Sequence, residues 1–212
     1  MLNLRAALTQ CPIAAILRGV TSDEIDAIGD ALVEAGVTVI EVPLNSPQPF
    51  ESIKRLAARH GTRALVGAGT VLEVADVARL EEAGGRLMVA PNFDADVVRA
   101  AKAAGLATLP GVMTPSEGFA ALKAGSDGLK LFPAEIIPPA VFRAWRAVFP
   151  AETLLLAVGG VGVDSIAAYR AAGASGYGIG SALYKPGLSA EEVETRARSF
   201  VKAWRSSVER AA

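Results

Sequence analysis

Short apolar runs alternate with longer stretches of helical spacing along nearly the whole chain. The runs fall at residues 12–17, 37–42, 64–68, 87–90, 107–110, 128–131, 153–158 and 176–179, after a lead-in helix over 3–10. They are apolar on both faces rather than alternating, as expected of strands in a parallel sheet covered by helices. A helical pattern follows each run. Thr21-Ser22-Asp23-Glu24 reads as a helix start, and the pairs Ala35-Gly36, Ala83-Gly84, Ala104-Gly105, Ala124-Gly125 and Ala172-Gly173 read as helix ends. Strand, helix, strand in this rhythm predicts βαβ units. Eight such units in one domain spanning 1–212 predict an α/β fold, a (β/α)8 TIM barrel with a short N-terminal lead-in helix. The competing arrangement is a doubly wound open sheet. No Gly-x-Gly-x-x-Gly opens the first unit, which counts against it.

Composition narrows the function classes. The chain has 212 residues, 51% of them hydrophobic and 20% charged, which excludes intrinsic disorder. A net charge of −1 offers no basic field for a phosphate backbone, so no nucleic acid partner is expected. No apolar run reaches the roughly 20 residues that span a bilayer, so no membrane partner is expected. Residues 1–5 show no basic-then-apolar signal, and a cytoplasmic location is expected. One cysteine, Cys11, and one histidine, His60, exclude an internal disulfide and a Cys/His metal cluster. His60 reads as a residue of a helix C-terminus, and Trp145 and Trp204 as packing residues.

In a (β/α)8 barrel, chemistry sits at the C-terminal ends of the strands. The residues there are Arg18, Glu41, Thr70, Pro91-Asn92, Pro110, Lys130, Val158-Gly159-Gly160 and Gly180-Ser181. Lys130 is the one lysine inside an apolar strand. Burial of an ammonium lowers its pKa and supplies neutral amine, which can attack a ketone to form a Schiff base. The alternative is a lysine that snorkels from the strand end or pairs with an acid. Glu41 interrupts the run at 37–42. A dry site raises a carboxyl pKa and suits it to proton shuttling, although Glu41 could equally be a charge partner of Lys130 or Arg18. Arg18 has the planar fork that fits a substrate carboxylate, with a rim salt bridge as the plainer role. Gly159-Gly160-Val161-Gly162 and Gly178-Ile179-Gly180-Ser181 end the last two strands, where barrels often hold a phosphate on backbone amides and a helix N-terminus. Tight turns are the plainer role. Thr70 follows a glycine-rich strand end and is either a turn residue or a ligand contact.

Four segments together carry a resemblance: Ile40-Glu41-Val42-Pro43-Leu44-Asn45-Ser46, Gly67-Ala68-Gly69-Thr70-Val71-Leu72, Lys130-Leu131-Phe132-Pro133-Ala134-Glu135 and Ala157-Val158-Gly159-Gly160-Val161. The chain resembles, along essentially its whole length, the class I aldolases of 2-keto-3-deoxy-6-phosphosugar acids. Leu17-Arg18-Gly19, the Pro-Leu-Asn-Ser after Glu41 and Val158 look like the galactonate-type branch. The gluconate type has Thr-Leu-Arg-Thr after the glutamate and threonine where Val158 stands. The resemblance implies that Lys130 is the Schiff-base lysine and Glu41 the general acid and base. It implies that Arg18 binds substrate, that Thr70, Pro91 and Phe132 line the pyruvyl pocket, and that Gly159, Gly160, Gly180 and Ser181 hold the phosphate. It also implies a phosphorylated sugar acid and pyruvate as small-molecule partners, a homotrimer, and no cofactor or metal. Val158 cannot hydrogen-bond a ligand hydroxyl, whereas threonine can, so it is expected to influence the C4 epimer accepted. The alternatives are the gluconate-type aldolase, a phosphate-binding barrel isomerase or epimerase, and a non-catalytic binding barrel.

Overall fold

A computed structural model describes residues 2–209. Met1 and 210–212, the ends of the span expected to form one domain, lie outside the described residues. The chain opens with α1 (Leu4–Gln10), where the Asn3 side chain accepts a hydrogen bond from the Ala6 amide. Next come β1 (Ile13–Ile16), α2 (Ile25–Glu34), β2 (Val39–Pro43), α3 (Pro49–His60), β3 (Leu65–Gly69) and α4 (Val74–Glu82). They are followed by β4 (Leu87–Val89), α5 (Ala95–Ala103), β5 (Ala107–Leu109), β6 (Gly111–Val112), α6 (Pro115–Lys123) and β7 (Gly128–Leu131). The last elements are α7 (Pro139–Val148), β8 (Leu154–Val158), α8 (Ile166–Ala171), β9 (Gly176–Ile179) and α9 (Ala190–Glu209).

All strand pairings are parallel, in the order β5-β4-β3-β2-β1-β9-β8-β7-β6. The two ends of that order are neighbours in the chain, because only Pro110 separates β5 from β6. Proline has no N–H for a ladder, so it divides one strand into two. Its carbonyl still accepts the Lys130 amide at 2.9 Å. With β5 and β6 counted as one strand, eight strands close a (β/α)8 barrel, and the open-sheet alternative falls.

Two apolar layers follow from the alternation of side chains along each strand. Outward residues such as Ile13, Ala15, Ile40, Val66, Leu129, Leu155 and Tyr177 pack beneath the helices. Inward residues such as Ile16, Val39, Leu65, Leu87, Leu109 and Leu156 fill the interior. Leu4, Ala7 and Leu8 of α1 belong to that inner cluster, so the lead-in helix closes the N-terminal end of the barrel. Buried Thr38 ties it down, donating from Oγ1 to the Ala7 carbonyl at 2.8 Å.

The Ala-Gly pairs end α2, α4, α5, α6 and α8, and the glycine in each takes a left-handed φ, +91° at Gly36 for example. The start of α2 differs from expectation. Residues 22–24 form a turn and the helix begins at Ile25. The Glu24 carboxylate accepts from the Thr21 amide at 3.0 Å and from the Tyr184 hydroxyl at 2.6 Å, tying this turn to the loop after β9. His60 is the last residue of α3, at a helix C-terminus as expected, and is buried. Its Nε2 lies 3.0 Å from Asp30 Oδ1 of α2.

Candidate active site

The inward register selects two charged side chains from the strands. Glu41 pairs in register with Ile16 and Gly67, and Lys130 with Gly111 and Leu156. Both are buried, at 2% and 5% exposure, among aliphatic neighbours. Together they line a small cleft with Ile16, Leu87, Leu109, Leu156 and Val158. Gly69 makes room for the carboxylate. A Cβ there would stand 1.6 Å from Glu41 Oε2, an atom that has no hydrogen-bond partner.

Burial dominates the electrostatics of both groups. It pushes the Glu41 carboxyl above its ordinary range, while Lys130 and Arg18 pull it back. It pushes the Lys130 ammonium below its ordinary range, opposed by Glu41 and assisted by Arg18. Lys130 Nζ also lies 4.9 Å from the centre of the Phe132 ring. The pair therefore combines an amine available in its neutral form with a carboxyl available as both acid and base.

Above Lys130 opens a cavity of about 690 Å³. Of the predicted residues, Arg18, Lys130, Phe132, Val158, Gly159, Gly160, Gly180 and Ser181 line it. Glu41 lies below them in the small cleft. Arg18 Nη1 donates to Asn45 Oδ1 at 2.8 Å, so the loops after β1 and β2 hold the guanidinium jointly. Buried Ser46 adds a second tie, its Oγ accepting from the Gly19 amide at 2.9 Å.

Thr70 and Pro91 sit on the same rim, at the ends of β3 and β4, but neither lines this cavity. Thr70 has φ +58°, a left-handed conformation that is rare for a β-branched residue. Such backbone costs on the order of 1–3 kcal/mol and clusters at functional sites.

The loop expected to hold a phosphate differs in detail from expectation. Gly159 and Gly160 take φ +101° and +64°. The Glu135 side chain lies against both: a Cβ at Gly160 would meet Glu135 Cγ at 2.5 Å. The following segment starts as a short 3-10 turn, Val163–Ser165, before the six-residue α8. The Gly162 amide is occupied by Ser165 Oγ at 3.1 Å, so this helix start does not present it to a ligand. Glu135, Tyr184 and Lys185 also line the cavity, and the sequence did not single them out. Glu135 lies in a short 3-10 turn (Ala134–Ile136) and the other two in the loop after β9, where no apolar pattern brings a polar residue to notice.

A second cavity of about 420 Å³ opens at the N-terminal end of the barrel, beside Arg5, Arg86, Lys102 and Asp127. Three of these four charged side chains are already engaged. Lys102 pairs with Asp127 at 2.8 Å, and Arg5 donates to the Glu152 carbonyl. Among the described residues no group of three or more His, Cys, Asp or Glu could hold a metal ion, and no helix is long and apolar enough to cross a membrane.

The chain as a whole matches a known family. The model of the KDPG and KHG aldolases fits residues 4–203. The chain belongs to the KDPG and KHG aldolase family. Within this aldolase family, it is 48% identical over 193 residues to the probable 2-dehydro-3-deoxy-6-phosphogalactonate aldolase of Rhizobium meliloti (strain 1021), covering 91% of each chain. It is 42% identical over 201 residues to the 2-dehydro-3-deoxy-6-phosphogalactonate aldolase of Escherichia coli (strain K12), covering 95% of this chain and 98% of that one. A solved structure described as "Native KDPGal structure" superposes with a TM-score of 0.93 at 42% identity, covering 94% of this chain and 97% of that one. This aldolase is therefore a lyase by family, on the barrel the sequence predicted.

Proposed function

We propose that this aldolase cleaves 2-dehydro-3-deoxy-6-phosphogalactonate to pyruvate and glyceraldehyde 3-phosphate through a Schiff base on Lys130. The observation that carries the reading is the burial of Lys130 and Glu41 in one aliphatic cleft at the floor of a cavity large enough for a phosphorylated six-carbon acid. The relatives named for that substrate support the choice of epimer.

Neutral Lys130 adds to the C2 ketone, and loss of water gives an iminium. Glu41, directly or through one water, takes the proton of the C4 hydroxyl. The C3–C4 bond breaks, its electron pair moves into the iminium to form an enamine, and glyceraldehyde 3-phosphate leaves. Glu41 then holds the proton needed at C3 of the enamine. Protonation and hydrolysis release pyruvate and restore the amine. Arg18 binds the pyruvyl carboxylate, held in place by Asn45. Phe132 forms a wall beside the amine, with Thr70 and Pro91 on the adjoining rim. Gly159, Gly160, Gly180 and Ser181 form the phosphate end. Val158 is the apolar wall beside C4, the carbon that distinguishes the two epimers.

The described span is one barrel domain, and the assembly we propose is a homotrimer. Apolar side chains near α6 and α7 support association, since Met113, Phe119, Ile136 and Val148 are 50%, 46%, 57% and 57% exposed. The proposed location is the cytoplasm, in keeping with a single, buried, free cysteine. The test is a side-by-side assay of pyruvate release from the galactonate and gluconate epimers, with a chelator present. Faster turnover of the galactonate epimer is expected. Faster turnover of the other would move the enzyme to the gluconate type. No pyruvate from either, in folded protein, would remove the aldolase reading.

A further inference from the structure

We infer that Lys185 is the side chain that binds the phosphate end of the substrate and sets the preference for phosphorylated over unphosphorylated acids. The inference rests on the reaction proposed above and adds a residue to it. Lys185 lies in the loop after β9 and lines the same cavity as Gly160, Gly180 and Ser181.

Its backbone is fixed from several directions. The Tyr184 amide donates to the Gly180 carbonyl at 3.0 Å, and the Tyr184 hydroxyl to Glu24 at 2.6 Å. Pro186 packs on Gly19, where a Cβ would stand 2.9 Å from Pro186 Cγ. The Lys185 carbonyl accepts the Leu188 amide at 3.2 Å. The ammonium hangs from an anchored segment, which lowers the entropy lost on holding an anion.

The charges of the cavity leave a role for it. The substrate carries a carboxylate and a phosphate monoester that is close to dianionic near neutral pH. Four charged side chains line the cavity: Arg18, Lys130, Glu135 and Lys185. Arg18 is held by Asn45 at the β1 and β2 ends, and Lys130 must be neutral to add to the ketone. Glu135 lies against Gly159 and Gly160 and brings negative charge to the phosphate end itself. Backbone amides alone would face a dianion beside a carboxylate. Lys185 is the remaining cation. It forms no ion pair among the described residues, whereas Lys102, for example, is already engaged by Asp127.

The experiment compares wild type, Lys185→Met and Lys185→Arg on the 6-phosphorylated acid and its unphosphorylated counterpart. It also measures binding of inorganic phosphate by calorimetry. A charge-assisted contact predicts that Lys185→Met lowers the ratio of kcat/KM for phosphorylated over unphosphorylated acid about tenfold or more, chiefly through KM. Lys185→Arg should keep most of that ratio. Inorganic phosphate should bind Lys185→Met about tenfold more weakly than wild type, and the difference should shrink as salt is raised. A ratio that does not move, or equal phosphate affinities in the wild type and Lys185→Met, overturns the inference. The two readings fail separately. A wild type that binds phosphate through Lys185 yet releases no pyruvate would overturn the reaction and keep the anion site.

Discussion

The two ends of the barrel interior are built on opposite principles. At the N-terminal end, Leu8 of α1, Val39 and Leu65 are buried together in one apolar cluster, with Gly176 against Leu8. At the C-terminal end, inward positions become Gly67, Gly69, Gly178, Glu41 and Lys130, and space opens above them. The first end gains stability from close packing. The second gives up side-chain volume and holds two ionisable groups away from water, which costs stability and tunes their pKa values. Strands that look uniformly apolar thus divide at mid-length into a structural half and a chemical half.

The largest break in this comparison is Lys130→Met. Turnover should fall by roughly 10⁴-fold or more, since no imine can form, while the fold is kept. The same variant sharpens the electrostatic half of the contrast. Because burial lowers the Lys130 pKa, the unfolded chain binds a proton that the folded chain resists, at pH values between the lowered pKa and the ordinary 10.5. Wild-type stability should therefore gain from rising pH across that interval, and Lys130→Met should lack the gain. Urea melts at several pH values would show it, and parallel curves would contradict the burial argument. Glu41→Gln comes next, with an expected loss of about 10²–10⁴-fold in kcat while borohydride still traps pyruvate. An unchanged kcat would remove Glu41 from proton transfer.

Gly69→Ala and Leu65→Ala form a matched pair across the two halves. The alanine methyl at 69 would occupy the place of Glu41 Oε2. Displacement of that carboxylate should cost about 10²-fold in kcat, because misplacing a reacting group by an ångström has that scale. Leu65→Ala should lower stability by about 2–5 kcal/mol while the folded fraction keeps most of its kcat. The reverse pattern, a large kcat loss at 65 and none at 69, would refute the division. The smallest effect expected is that of Val158→Thr. It should shift the ratio of kcat/KM for the two C4 epimers several-fold toward the gluconate form, because a new hydroxyl can engage the ligand. An unmoved ratio would show that discrimination lies elsewhere.

Much of the fold was readable before the structure. The eight runs are the eight barrel strands, and the Ala-Gly pairs are the helix ends, because parallel strands and left-handed helix ends impose local sequence demands. Pro110 was legible as a strand end but not as the residue that interrupts a strand and closes the ring. Lys130 and Glu41 stood out because charge inside an apolar run is costly. The runs alone could not show which face each side chain takes, since both faces are apolar. The space left at Gly69 and the left-handed backbone of Thr70 arise from contacts between strands, which no single segment records. Glu135, Tyr184 and Lys185 were missed for the opposite reason: in short turns and loops, a polar residue is ordinary.

The most direct test of the account is borohydride reduction of the enzyme with pyruvate, followed by mass spectrometry of its peptides. The account predicts one stable adduct, carried by the peptide that contains Lys130 and absent from Lys130→Met. An adduct on any other lysine, or none in folded protein, would contradict it.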